Sequence, residues 1–174
     1  MATITIITGG VRSGKSSFAL SLAKQYKGKK AFVATALAID HEMKLRIKKH
    51  RRSRGRHFTT VEEPCELGRA IKHIDGSVSV VVVDCLTVWL GNLFYNYDGD
   101  EKKVLERVRL FTKVLKKTAV DCIIVTNETG WGIVPENELS RKFRDVAGYV
   151  NQAVARMADA VYLLCCGIPV KIKG

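Results

Sequence analysis

Residues 9 to 16 read Gly9-Gly10-Val11-Arg12-Ser13-Gly14-Lys15-Ser16, and they follow the apolar, β-type run Ile4-Thr5-Ile6-Ile7-Thr8. This is G-x-x-x-x-G-K-[ST] in the setting the motif requires, with a strand before it and an amphipathic stretch after it. Glycines let the backbone curl so that its N–H groups face phosphate oxygens. Lys15 brings positive charge to the outer phosphates, and Ser16 offers a hydroxyl to Mg²⁺. The helix that opens there turns its positive dipole end toward the anion. The stretch predicts a nucleoside triphosphate site; the plain alternative is a Gly-rich turn.

Working outward, strand-like and helix-like segments alternate. Strands are expected at Thr3–Thr8, Ala31–Ala34, Phe58–Val61, Val78–Asp84, Asp121–Thr126, Ala160–Leu164 and Ile168–Ile172. Helices are expected at Lys15–Tyr26, His41–His50, Glu66–His73, Glu101–Lys117 and Glu136–Ala158, with Leu86–Tyr95 read as helical. The runs Val78–Asp84 and Asp121–Thr126 are nearly continuous in apolar residues, as parallel strands buried on both faces are. The alternation predicts a mostly parallel α/β sheet flanked by helices and joined by right-handed crossovers. Cys166-Gly167 divides the last two strand runs and predicts a C-terminal β-hairpin. On the last helix, Leu139, Phe143, Val146, Val150, Ala153 and Met157 recur at steps of three and four, a core stripe or a subunit interface.

The chain has 174 residues, 47% of them apolar and 26% charged, which fits a single globular domain over residues 1–174. No apolar run is long enough to span a bilayer. The start lacks the pattern of a secretory signal, so the cytoplasm is the expected compartment. The five cysteines include no C-x-x-C, so reduced structural thiols are expected rather than a metal site. Asn127-Glu128-Thr129 fits a glycosylation sequon that should be silent in that compartment. Net charge is +12, and eight cations with no acid lie between Lys44 and Arg56. Such a cluster draws polyanions, either a nucleic acid or the phosphates of a nucleotide.

Four further features carry chemistry. Asp84 ends an apolar strand, where a carboxylate holds Mg²⁺ beside the phosphate loop; its other reading is a helix N-cap. Asp40 is expected to cap the second helix, on which Met43, Ile47 and His50 share one face, so His50 should sit at the helix end on the inward side. His41 reads as solvated, His57 has no legible partner, and His73 reads as a helix C-cap. His50 stands out because cations surround it: neutral imidazole attacks phosphorus well, and the phosphoramidate it forms passes its group on. Finally, the loop 127–135 (Asn-Glu-Thr-Gly-Trp-Gly-Ile-Val-Pro) follows a buried strand, where α/β proteins place ligands, and suits a substrate contact or a lid.

These segments together resemble one family, the bifunctional adenosylcobinamide kinase / adenosylcobinamide-phosphate guanylyltransferases of cobalamin biosynthesis. The matching stretches are Thr8–Ser16, Val33–Thr35, Asp40 through Glu42-Met43 and Arg46-Ile47 to His50, Val125–Asn137, Phe143–Gly148, Val150–Gln152 and Gly167 through Val170–Lys173. The phosphate loop alone is common to many proteins; the Thr126-Asn127-Glu128 to Pro135-Glu136-Asn137 stretch is the more specific part. The resemblance implies a RecA-like P-loop NTPase fold and, usually, a homotrimer. It implies phosphorylation of adenosylcobinamide with ATP or GTP. GMP is then transferred from GTP to adenosylcobinamide phosphate through a guanylyl-histidine, giving adenosylcobinamide-GDP and pyrophosphate.

By the same resemblance, His50 and Lys15 are catalytic. The nucleotide contacts fall on Gly9, Gly10, Val11, Arg12, Ser13, Gly14, Lys15, Ser16, Ala34, Thr35, Ala36, Arg51, Arg52, Ser53, Arg54, Glu62 and Asp84, with Glu63 adjacent to Glu62. Mg²⁺ falls to Ser16 and Asp84; some relatives carry Glu at the latter position. No nucleic acid and no stable membrane insertion are implied. Two alternatives compete with this reading. One is a P-loop kinase of another small metabolite. The other is a basic, nucleic-acid-binding P-loop NTPase, disfavoured because few aromatics lie within the basic segment to stack bases.

Overall fold

The computed structural model describes residues 2–74 and 76–174, leaving aside the side chains of Ser53 and Arg56. The elements run β1 (Ile4–Gly9), α1 (Lys15–Lys24), β2 (Lys29–Ala34), α2 (His41–Arg54), a 3₁₀ turn (Gly55–His57), β3 (Phe58–Glu62) and α3 (Leu67–Lys72). There follow β4 (Val78–Asp84), α4 (Leu86–Asn96), α5 (Glu101–Leu115), β5 (Asp121–Val125), α6 (Glu138–Met157), β6 (Ala160–Cys165) and β7 (Ile168–Lys173). The seven strands form one sheet in the order β3-β2-β4-β5-β1-β6-β7. Every neighbouring pair is parallel except β6 and β7, which form the expected antiparallel hairpin.

The apolar runs take the centre of this sheet because both its faces are covered. On one face Ile4, Ile6, Val81, Val83 and Ile124 pack against residues of α3 to α6, among them Leu67, Trp89, Phe111 and Val150. On the other, Ile7, Phe32, Val80, Val82 and Ile123 pack against Ala19, Leu20 and Ala23 of α1. Each large side chain buried this way contributes roughly 1.5–3 kcal/mol. The Trp89 indole N–H keeps a partner within the core, donating to the carbonyl of Cys65 at 2.7 Å.

Of the two helices with an expected inward face, α6 keeps most of it and α2 part of it. On α6 the buried set is Val146, Ala147, Val150 and Val154. The expected stripe is met at Val146 and Val150, with Phe143 and Met157 partly buried against the same core; Leu139 is exposed and Ala153 half-buried. On α2 the Asp40 carboxylate accepts from the Met43 N–H at 2.7 Å, as an N-cap should. The helix then continues past His50 to Arg54, and of its described side chains only Arg54 is buried. Met43 and Ile47 are half-buried, as their shared face requires, but His50 is exposed and lies four residues short of the helix end. A helix with so many cations has no wide apolar face, so the stripe is only half covered.

The register brings the carboxyl ends of the strands into line. Gly9 pairs with Leu164, Ile7 with Val125, Val125 with Asp84, Asp84 with Ala34, and Ala34 with Glu62. Ligands of parallel sheets bind beyond this edge.

Candidate nucleotide-binding and catalytic site

The phosphate loop connects β1 to α1. Gly9 has φ +142°, and a Cβ there would lie 2.4 Å from the Leu164 carbonyl oxygen, so this position admits only glycine. Gly14 is the N-cap of α1 in the left-handed region and packs against Gly167 of the final hairpin. Gly10, by contrast, has open space around it. The loop is closed by Ser13 N–H donating to the Gly10 carbonyl at 3.3 Å, and it is braced by Gly167 N–H donating to the Ser13 carbonyl at 3.1 Å. No side chain caps α1, so its first N–H groups remain available to an anion.

Lys15 folds into the cup of this loop. It is 7% exposed, and its ammonium donates to the Gly10 carbonyl and to Ser13 Oγ. Burial lowers its pKa, partly offset by Cys85 and Asp84. A buried ammonium resting on a carbonyl is poised to exchange that weak partner for a phosphate.

Asp84 stands two strands away at the same edge, and the N-cap of α4 is the next residue, Cys85, so Asp84 is not itself the cap. The loop after β2 is clamped to this point. Thr35 N–H donates to the Asp84 carbonyl at 3.2 Å. The buried Thr35 hydroxyl donates to the Cys85 carbonyl at 2.9 Å and accepts from Cys85 N–H at 2.8 Å. Asn92 holds the Thr35 carbonyl from α4 at 2.8 Å. Ala34, Thr35 and the half-buried Ala36 are thereby fixed beside Asp84.

The carboxyl end of α2 reaches the same region. Arg54 is buried with its guanidinium carbon 3.7 Å from the centroid of the Phe32 ring. Burial lowers its pKa; Asp84 and Glu62 pull it up and Arg51 pushes it down. Its Nε has no hydrogen-bond partner among the described residues. Arg51 lies 3.9 Å from Glu62 across an exposed ion pair. Glu63 is engaged elsewhere, since its Oε1 accepts from the N–H groups of Cys65 and Glu66 at 2.9 and 2.8 Å. Of the two adjacent acids, Glu62 is thus the one facing α2. Arg52 and His50 are exposed on the same helix, and the Ser53 side chain lies outside the described set. His41 and His57 are exposed, and His73 closes α3 with its Nδ1 2.8 Å from the Arg69 carbonyl.

A polar cluster at the end of β5 has no counterpart in the sequence expectations beyond the loop it begins. Thr8 Oγ1 donates to Glu128 Oε1 at 2.6 Å, and Asn151 Nδ2 from α6 donates to the same oxygen at 3.2 Å. Glu128 N–H donates to the Gly9 carbonyl at 3.2 Å. Asn151 also donates to the Asn127 carbonyl at 3.0 Å and accepts from the buried Thr126 hydroxyl at 2.7 Å. The signal available was polar residues following directly on a buried strand; the partner on α6 is legible only in three dimensions. Beyond this cluster the loop is exposed, with Trp131 at 71% and Ile133 at 97%.

The cysteines are all free thiols: Cys85 and Cys122 are buried, as structural thiols should be, whereas Cys165 and Cys166 are exposed at the hairpin turn. No group of three or more His, Cys, Asp or Glu able to hold a metal occurs among the described residues. No helix among them is long and apolar enough to cross a membrane.

A family model described as cobinamide kinase / cobinamide phosphate guanyltransferase matches residues 5–172. The bifunctional adenosylcobalamin biosynthesis protein CobU of Escherichia coli is 37% identical, over 97% of this chain and 98% of its own length. CobP of Pseudomonas aeruginosa, a protein of the same description, is 38% identical over 97% and 96%. CobU of Salmonella typhimurium is 35% identical over 97% and 98%. Among solved structures, the RadB recombinase superposes with a TM-score of 0.54 at 17% identity, covering 92% of this chain and 73% of that one. That likeness bears on the fold, the RecA-like P-loop architecture.

Proposed function

Because the chain belongs to the cobinamide kinase / cobinamide phosphate guanyltransferase family, we propose that it phosphorylates adenosylcobinamide with ATP or GTP. It then moves GMP from GTP onto the product phosphate, giving adenosylcobinamide-GDP and pyrophosphate. The observation that carries this reading is the placement of Lys15, Asp84 and Arg54 along one strand edge, with His50 one helical turn before Arg54. One site thus has a grip for a triphosphate tail and an adjacent helix rich in cations.

The roles divide as follows. Residues Gly9 to Ser16 hold the β- and γ-phosphates, and Lys15 neutralises charge that builds as the γ-phosphoryl group departs. Mg²⁺ fits the donors present: Asp84 supplies a carboxylate and Ser16 a hydroxyl, both hard oxygens. Neither group is taken up by a hydrogen bond among the described residues. Mg²⁺ characteristically uses one or two such ligands together with phosphate oxygens and water. When bound, it neutralises phosphate charge in transfer.

His50 serves the second reaction as the nucleophile at the α-phosphorus. Its Nε2 or Nδ1 forms the P–N bond as the bond to pyrophosphate breaks, and the acceptor phosphate then displaces the imidazole. Two inversions give net retention. Arg51, Arg52 and Arg54 stabilise the leaving pyrophosphate, and Glu62 orients Arg51. The exposed loop around Trp131 and Ile133 receives the corrinoid. We further propose a cytoplasmic homotrimer that binds neither nucleic acid nor membrane; the exposed apolar side chains Ile168, Val170 and Ile172 of β7 support a subunit contact.

The test is labelling with α-³²P-GTP and Mg²⁺. Wild type should acquire label that is acid-labile and alkali-stable. His50→Ala should lose both the label and guanylyl transfer while keeping kinase turnover, and Lys15→Ala should lose kinase turnover. Unlabelled wild type, or full labelling of His50→Ala, overturns the histidine assignment.

A further inference from the structure

β5 lies between β4, which ends in Asp84, and β1, which ends in the phosphate loop. The first ionisable side chain beyond β5 is therefore delivered between the two strand ends that handle the triphosphate, and that residue is Glu128. It is also the base of the loop that leads to exposed Trp131. Its backbone is tied to Gly9 and its Oε1 is pinned by Thr8 and Asn151. Among the described residues Oε2 has no hydrogen-bond donor. A half-buried carboxylate with one oxygen fixed from two sides and the other unclaimed is a positioned proton acceptor.

We propose that Glu128 is the general base of the phosphoryl-transfer step, taking the proton from the acceptor's hydroxyl. This rests on the kinase reading above. The hydroxyl oxygen bonds to the γ-phosphorus as the bond from that phosphorus to the β–γ bridging oxygen breaks. The electron pair leaves with the nucleoside diphosphate, and the hydroxyl proton passes to Glu128 Oε2 and then to water. Guanylyl transfer has no such need, because its acceptor is a phosphate that is already anionic. Glu128 therefore separates the two activities from the side opposite to His50.

Glu128→Gln keeps the size of the side chain and an oxygen for Thr8 and Asn151 to bond, but it cannot take a proton. It should lower kinase kcat by about 10²–10⁴-fold. GTP affinity, labelling of the histidine from α-³²P-GTP and GMP transfer to preformed adenosylcobinamide phosphate should stay within about threefold. Kinase turnover retained within threefold overturns the proposal, and so does parallel loss of both activities with weakened GTP binding, which would mark Glu128 as a structural tie only. Should Glu128→Gln not fold, Glu128→Asp decides: kinase turnover kept within threefold, with the carboxylate drawn back by one methylene, overturns it. Wild type unable to phosphorylate adenosylcobinamide at all would instead refute the kinase reading on which the proposal stands.

Discussion

The guanidinium carbon of Arg54 sits over the Phe32 ring, 3.7 Å from its centroid, at the point where a largely exposed helix meets the sheet. Stacking on a ring satisfies the guanidinium face but not its edge. The Nε, without a hydrogen-bond partner among the described residues, and the lowered pKa both record the cost of holding this cation away from water.

That cost predicts a divergence between stability and binding. Arg54→Met keeps contact with Phe32 and removes the buried charge, so unfolding free energy should hold or rise by about 1 kcal/mol. Arg54→Ala leaves a void beside the ring and should lose about 2 kcal/mol. Both should weaken GTP binding at least tenfold, which calorimetry would read; unchanged affinity in Arg54→Met would remove Arg54 from the site.

The phosphate loop distinguishes its first two glycines. Gly9→Ala forces a Cβ into the Leu164 carbonyl at a φ that alanine rarely adopts. It should cost about 2 kcal/mol or more and abolish nucleotide binding. Gly10→Ala meets open space and should shift stability by less than about 0.5 kcal/mol. Thermal melts with and without GTP would check both, and equal effects would contradict the steric account.

The Thr126 hydroxyl is buried and feeds Asn151. Thr126→Val is close to isosteric and strands that amide oxygen, so it should destabilise by about 1–2 kcal/mol in urea titrations. A neutral outcome would mean that Asn151 finds its donor elsewhere.

At high pH the core should loosen. Burial raises the Cys85 and Cys122 thiols from 9.0 to about 12, and Tyr26 rises from 10.0 to about 12 through burial and its neighbour Asp121. All three are raised on folding, so the folded chain keeps protons that the unfolded chain has lost. Stability from these groups is whole below about pH 9 and falls as pH climbs toward 12. Lys15, held low by burial, acts in the opposite sense and offsets part of the loss. Denaturation curves at several pH values should show the decline, and Cys85→Ala/Cys122→Ala should flatten it.

Much of this was legible in residue order. The valine run before Asp84 and the Ile-rich run after Asp121 could only be parallel strands covered on both faces, and every expected strand and helix occurs with ends shifted by a few residues. Asp40 capped its helix as its position demanded. What local pattern could not supply was long-range. The exposure of His50 goes with α2 touching the sheet through Arg54, one turn further on. The choice between Glu62 and Glu63 is made by backbone N–H groups that Glu63 caps, and the grip on Glu128 comes from Thr8 and Asn151, at the far ends of the chain's order. A three-residue stripe on a highly charged helix marks its less exposed side, with Met43 and Ile47 half-buried, but does not bury its last member.

One consequence reaches into synthesis. The cradle is written in the opening residues, yet its glycine presses on the carbonyl of Leu164, its rim hangs from the amide of Gly167, and β1 is flanked by β5 and β6. A ribosome-bound chain that has emitted only the motif has nothing to hold it in shape. Competence to bind GTP should appear late and abruptly, as the closing hairpin leaves the exit tunnel.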